Sequence, residues 1–135
     1  MVKNKEKTKI LLIEDDKFIS DLYKDGLEWA GLKMITAYDG KEGMEKIKSE
    51  NPDLILLDLV LPTMNGFEIL EKIKRDDKFK NIPIIILSNL SEKEDVKKAM
   101  ELGADDYLVK VKFSIKEVIA KVKFNLKKLK TSQKI

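Results

Sequence analysis

The chain has 135 residues, of which 43% are hydrophobic, and it contains neither cysteine nor histidine. This length and composition fit one globular domain with its own core, whereas the two absent residue types exclude disulfides, thiol catalysis, a Ser-His-Asp triad and zinc sites built on Cys or His. The formal net charge of +3 divides unevenly, because residues 110–135 hold nine lysines and one acid, a charge of +8, which leaves −5 for residues 1–109.

The N-terminal stretch MVKNKEKTK leads straight into a strand-like segment, without a secretory apolar region or a small-residue cleavage site. Apolar runs elsewhere fall well short of the roughly 18 residues that suggest a membrane span. We therefore expect a cytoplasmic protein that does not enter the membrane.

Five apolar, strand-like runs follow along the chain and alternate with segments of helical periodicity. The predicted strands are KILLIE (9–14), LKMITAY (32–38), DLILLDLV (53–60), IPIIILS (82–88) and DYLVK (106–110). Helical spacing is clearest in the last segment, at Ile115, Val118, Ile119, Val122, Leu126 and Leu129. Five strands alternating with five helices predict a doubly wound α/β domain, (βα)5, with a mostly parallel five-stranded sheet covered on both faces.

Signals for helix ends support this division of the chain. A capping residue followed three positions later by Glu predicts a helix start, and this pattern occurs at Asp39 with Glu42, Asn65 with Glu68, Ser91 with Glu94 and Ser114 with Glu117. Gly31 and Gly103 stand where helices are expected to end.

Polar residues stand at the ends of four predicted strands. They are Glu14, Asp15 and Asp16 after the first, Asp58 near the end of the third, Ser88 in the fourth and Lys110 in the fifth. Open parallel sheets bind ligands beyond the carboxyl ends of their strands, so we expect these groups to meet in one crevice.

The residue types at this predicted site indicate its chemistry. Clustered carboxylates need a cation, and an all-oxygen site suits Mg²⁺. A metal ion beside Lys110 would accommodate a phosphoryl group, which makes Asp58 a candidate nucleophile that becomes an aspartyl phosphate.

Each residue alone has a plainer interpretation. The acids after the first strand could simply open a helix, Asp58 could cap a turn, Ser88 could bond its own backbone and Lys110 could extend off a strand end. The coincidence of all four positions at one edge of the predicted sheet favours a functional site.

The motifs ILLIEDD, ILLDLVLPTMNG, IIILSN and GADDYLVK together resemble the receiver domain of two-component response regulators, over about residues 8–130. The resemblance implies a flavodoxin-like strand order 2-1-3-4-5 and a single receiver domain over residues 1–135, with polar tails. It also implies that Asp58 takes a phosphoryl group from the phosphohistidine of a histidine kinase or phosphotransfer protein. Glu14, Asp15 and Asp58 would hold Mg²⁺ together with the backbone carbonyl of Val60.

The same resemblance implies a switch. Ser88 would hydrogen-bond the phosphoryl group, Lys110 would pair with it, and Tyr107 would change orientation with phosphorylation. The altered face would then bind a downstream effector protein or domain, or form a homodimer.

Four positions depart from the commonest family pattern. Val111 follows Lys110 where a proline is usual, and Asn89 follows Ser88 where a small residue is more frequent. Val60 and Leu90 offer no polar group that could orient a hydrolytic water. We therefore expect slow loss of the phosphoryl group.

Other function classes are alternatives. A phosphatase of the haloacid dehalogenase type needs a second acid two residues after its nucleophile, and Val60 occupies that position. A receiver-fold interaction module would lack the acceptor or the metal pair. The chain could also be the N-terminal part of a DNA-binding transcriptional regulator. Binding of nucleic acid by this chain alone is not expected, because its lysine-rich final helix is needed to cover the sheet.

Overall fold

The computed structural model describes residues 8–133, with side chains described up to residue 128. The strands are β1 (Lys9–Ile13), β2 (Lys33–Ala37), β3 (Leu54–Leu57), β4 (Ile84–Ser88) and β5 (Asp106–Val109). The helices are α1 (Lys17–Trp29), α2 (Gly40–Glu50), α3 (Gly66–Arg75), α4 (Lys93–Glu101) and α5 (Ile115–Gln133). A short 3-10 turn, Lys110–Lys112, connects β5 to the segment before α5.

The five strands form one parallel sheet in the order β2-β1-β3-β4-β5. This arrangement confirms both the predicted fold class and the strand order that the resemblance implies. The strands are shorter than predicted, and the difference is largest at β3, which ends at Leu57 and not at residue 60. The chain turns there because the Asp58 carboxylate accepts the Val60 N–H at 3.2 Å.

Alternate residues of the central strands supply two hydrophobic cores. On one face Leu11, Ile55 and Ile84 pack with residues of α2, α3 and α4. On the other face Ile10, Leu54 and Ile85 pack with residues of α1 and α5. Because the central strands are covered on both faces, they read as continuous apolar runs.

Most of the predicted helix ends are confirmed. Asp39, Asn65 and Ser114 each accept the N–H of the Glu three residues later, and Gly31 and Gly103 adopt positive φ angles of 95° and 107° after α1 and α4. These left-handed conformations suit glycine, which has no Cβ to clash.

The predicted cap at Ser91 is wrong. Helix α4 begins one residue later than that cap requires, with Glu92 at the N-cap and no side chain bonded there. The carbonyl of Glu92 accepts the N–H groups of Asp95 and Val96 at 3.0 and 3.2 Å, so the helical ladder starts at Glu92.

Helix α5 uses its apolar side to cover the sheet. Val118 and Val122 are fully buried, whereas Lys116, Lys121 and Lys123 are exposed. Between residues 8 and 133, no helix is both long enough and apolar enough to cross a membrane.

Candidate functional site

Four neighbouring strands deliver polar side chains to the same edge of the sheet. Glu14 directly follows β1, Asp58 follows β3, Ser88 ends β4 and Lys110 follows β5. Because these strands are parallel and adjacent, their carboxyl ends meet. The structure thus brings together residues that lie up to 96 positions apart in the chain.

Lys110 bridges two buried carboxylates at the centre of this edge. Its Nζ atom donates to Asp58 Oδ2 at 2.7 Å and also contacts Glu14 Oε1. Glu14 is 2% exposed and Asp58 is 6% exposed, so the ion pairs are poorly screened by water. Sequence reasoning placed the three residues in one crevice but did not predict the contact between Lys110 and Glu14.

An acidic cluster extends from this pair towards solvent. Glu14, Asp15 and Asp58 each offer a carboxylate oxygen, and these three atoms lie within 4.8 Å of one another. Asp15 is exposed, unlike the other two. Clustered carboxylate oxygens at the mouth of a pocket are ligands that a hard divalent cation accepts, so the residues present fit a metal ion.

Asp16 does not belong to the acidic cluster. Its side chain caps α1 by accepting the Ile19 N–H at 3.1 Å, and its backbone N–H donates to Glu14 Oε2 at 3.0 Å. Of the three acids after β1, this one therefore opens a helix, as the plainer interpretation predicts.

Burial and charge act in opposite directions on the ion pairs. Burial raises the pKa of Glu14 above its usual value, although the hydrogen bond and positive charge of Lys110 oppose this shift. Burial by itself lowers the pKa of Lys110, but its hydrogen bonds and attraction to Asp58 and Glu14 raise the pKa overall. The fold therefore keeps Lys110 charged and disfavours the charge on Glu14.

Two glycines hold the loop that follows Asp58. A Cβ atom on Gly66 would lie 2.3 Å from the backbone oxygen of Asp58, and one on Gly40 would lie 1.9 Å from the backbone oxygen of Met64. Only glycine allows these approaches without a shift of the backbone. The loop that carries Asp58 and Val60 is therefore fixed from both sides, and Val60 itself is 60% exposed.

Ser88 and Tyr107 are connected through one backbone segment. The Ser88 hydroxyl accepts the Leu90 N–H at 3.3 Å, and the Tyr107 hydroxyl donates to the Leu90 carbonyl at 2.6 Å. Burial, followed by the negative charges of Asp95 and Asp58, raises the pKa of Tyr107 to about 12. A movement of Leu90 would therefore be transmitted to Tyr107.

These groups open into a pocket of about 580 Å³. Its lining includes the predicted site residues Glu14, Asp15, Asp58, Val60, Ser88 and Lys110, together with Asn89, Leu90 and Val111. Tyr107 does not line the pocket and reaches it only through Leu90. Ile19 and Tyr23 also line the pocket, and sequence reasoning missed Tyr23. Its position four residues after Ile19, on the same face of α1, is the signal that could have indicated it.

The fold and this edge of the sheet together define a class of protein. The family model "Response regulator receiver domain" matches residues 10–123, and the chain belongs to that family. It is a receiver domain of the two-component response regulators.

Particular relatives agree with this assignment. The DNA-binding dual master transcriptional regulator RpaA of Synechocystis is 40% identical over 112 residues, which cover 83% of this chain and 46% of RpaA. The chain thus spans about half the length of that relative. The Francisella response regulator 1452 receiver domain is 36% identical with a TM-score of 0.82, covering 90% of this chain and 98% of that one. The Mn²⁺-bound form of response regulator Rcp1 is 35% identical with a TM-score of 0.71, covering 76% and 80%.

Proposed function

We propose that Asp58 is the phosphoacceptor of this receiver domain and that the donor is the phosphohistidine of a histidine kinase or phosphotransfer protein. The observation that carries the proposal is the contact of Asp58 Oδ2 with Lys110 Nζ at 2.7 Å beside the carboxylates of Glu14 and Asp15. A buried carboxylate between a lysine and a cation site is a reactive nucleophile for a group that carries negative charge.

Mg²⁺ is the cation that we assign to the acidic cluster. Glu14, Asp15 and Asp58 would hold it, with the backbone carbonyl of Val60 as a further ligand. When bound, a divalent cation neutralises carboxylates and stabilises the charge of the transferring phosphoryl group. The solved Mn²⁺-bound form of the related Rcp1 supports a divalent ion in this fold.

In the transfer step, a carboxylate oxygen of Asp58 attacks the phosphorus in line with the leaving group. The bond between phosphorus and the donor's ring nitrogen breaks, and that nitrogen keeps the electron pair and takes a proton from solvent. Lys110 balances charge on the phosphoryl oxygens, and the Ser88 hydroxyl donates a hydrogen bond to one of them. The products are aspartyl phosphate and a neutral histidine on the donor.

The switch follows from the same contacts. When the Ser88 hydroxyl turns towards the phosphoryl group, it gives up the bond that it accepts from the Leu90 N–H. Leu90 is then free to shift, and Tyr107, whose hydroxyl is bonded to the Leu90 carbonyl, follows it. The face formed by α4, β5 and α5 thereby changes its affinity for an effector or for a second copy of the chain, as a shift between populations.

The donor is a protein that must bring its histidine to the pocket. Val60 and Val111 are 60% and 80% exposed, and both line the pocket. Exposed apolar side chains next to an acidic site suit contact with another protein. The cytoplasmic location and the single-domain organisation over residues 1–135 stay predictions.

Phosphorylation in vitro tests the proposal. The wild type incubated with Mg²⁺ and acetyl phosphate should gain one phosphoryl group by intact mass, and Asp58→Ala should gain none. Replacement of Mg²⁺ by EDTA should also prevent the adduct. If the wild type forms no adduct, the chain is a receiver-fold interaction module instead. If Asp58→Ala is phosphorylated to the same extent as the wild type, the acceptor is a different residue.

A further inference from the structure

Tyr23 joins the hydrophobic core to the phosphoryl pocket. It is only 7% exposed, and it belongs to the core cluster on the α1 and α5 face of the sheet, with Leu27 and Val118. The same side chain lines the pocket that contains Asp58 and Lys110. A residue needed only for packing on this face could be wholly apolar, like Leu27 one turn later in α1.

The hydroxyl of Tyr23 has no hydrogen-bond partner among the residues that the structure describes. A buried tyrosine hydroxyl usually finds one. In the same part of the chain, Ser20 Oγ is the only fully buried side-chain oxygen or nitrogen without a partner, so the Tyr23 hydroxyl is not sealed within the core. The hydroxyl therefore keeps some solvent exposure, and the side chain that carries it lines the pocket.

Two charged residues of the site act on this hydroxyl. Burial raises the pKa of Tyr23, the positive charge of Lys110 lowers it, and the negative charge of Glu14 raises it. The ion pair is thus within electrostatic reach of the phenol. The Lys110 ammonium has three N–H donors, and its contacts to Glu14 and Asp58 leave one for a further acceptor.

We propose that Tyr23 is a positioning residue for Lys110, and that its hydroxyl accepts the third ammonium N–H through one bridging water. The proposal rests on the proposed function, in which Glu14 helps to hold a cation; a carboxylate engaged in that way would attract Lys110 less strongly. The Tyr23 hydroxyl would then keep the ammonium directed at the phosphoryl group on Asp58. Without that hydroxyl, Lys110 samples more orientations and transfer slows.

The first test removes one oxygen atom and keeps the ring. Asp58 phosphorylation by acetyl phosphate with Mg²⁺ is followed by intact mass for the wild type, Tyr23→Phe and the control Tyr38→Phe, which loses a hydroxyl outside the pocket. We expect Tyr23→Phe to lower the maximal rate by roughly 3- to 10-fold, with an unchanged half-saturating concentration of acetyl phosphate. Tyr38→Phe should match the wild type.

The second test needs no phosphorylation. Urea unfolding of Tyr23→Phe, Lys110→Met and the double variant, all in EDTA, should show non-additive effects, because each substitution removes the same contact. A Tyr23→Phe rate above half of the wild-type rate, or additive effects in urea, would overturn the proposal. Failure of the wild type to become phosphorylated would instead refute the proposed function, and the urea cycle would still report on the contact.

Discussion

Replacing Lys110 with methionine should destabilise the protein strongly when no divalent cation is present. Methionine keeps a long, unbranched apolar stem but removes the charge that pairs with Glu14 and Asp58, which are 2% and 6% exposed. Removal of one partner from a buried ion pair costs roughly 3–5 kcal/mol. We expect about 3 kcal/mol, at the low end of that range, because the pKa of Glu14 is already raised and this carboxyl can take up a proton.

Urea unfolding in EDTA at neutral pH measures this loss. A loss of about 3 kcal/mol is roughly a 100-fold change in the unfolding constant and a fall of roughly 10 °C in Tm. Adding Mg²⁺ should restore more stability to Lys110→Met than it adds to the wild type, since the cation replaces the missing positive charge. Lys121→Met is the matched control, because Lys121 makes only an exposed pair with Asp106 at 4.0 Å, worth about 0–1 kcal/mol.

The same variant has a defined pH dependence. Burial raises the pKa of Glu14 in the fold, and the loss of Lys110 raises it further. A raised pKa means that stability is present at low pH and is lost as pH rises through the folded-state value. The loss of unfolding free energy in Lys110→Met, relative to the wild type, should therefore become smaller from pH 7.5 towards pH 5. A loss no larger than that of Lys121→Met, or an equal response of both proteins to Mg²⁺, would refute this account of the site.

Three further predictions follow from the site and its loop. Val60→Asn combined with Leu90→Glu should hasten loss of the phosphoryl group, measured as decay of the intact-mass adduct after the donor is removed; an unchanged decay rate contradicts the expected role of these positions. Gly66→Ala should lower the free energy of urea unfolding by at least about 1–3 kcal/mol, because the added Cβ would lie 2.3 Å from the backbone oxygen of Asp58. A loss within about 0.5 kcal/mol, the range of ordinary surface substitutions, would show that the loop can shift. Tyr107→Phe should be less stable than the wild type by about 1 kcal/mol at pH 7. This difference in unfolding free energy should narrow between pH 10 and 12, because the wild type loses stability as pH rises towards the folded-state pKa of about 12. A difference that stays constant with pH would contradict the raised pKa.

The fold was predictable because its signals are local and repeated. Apolar runs such as IIILS in β4 (Ile84–Ser88) are too short for helices and are bounded by turn residues, so they specify buried strands. Parallel strands place their carboxyl ends together, and therefore Glu14, Asp58 and Lys110 could be assigned to one edge without coordinates.

Side-chain partners within the site were not predictable in the same way. The contact of Lys110 with Glu14 depends on how the two side chains pack in a buried space. The spacing of residues along the sequence does not predict this packing. Tyr23 was missed because helical periodicity indicates a buried face but not which part of that face borders a pocket. The prediction of a cap at Ser91 was wrong because the capping pattern fits several registers, and α4 has Glu92 at its N-cap.

The balance of charge explains why the site and the stability of the fold are linked. Three clustered carboxylates face one ammonium, which leaves an excess of two negative charges at this edge of the sheet. Burial, which is the largest cause of the raised pKa of Glu14, makes this excess of charge costlier still. A bound divalent cation would match the excess and would stabilise the folded state by mass action. Neutral substitutions at Asp15 or Glu14 that relieve the repulsion without a cation must therefore weaken the attraction for it, because one electrostatic imbalance underlies both effects.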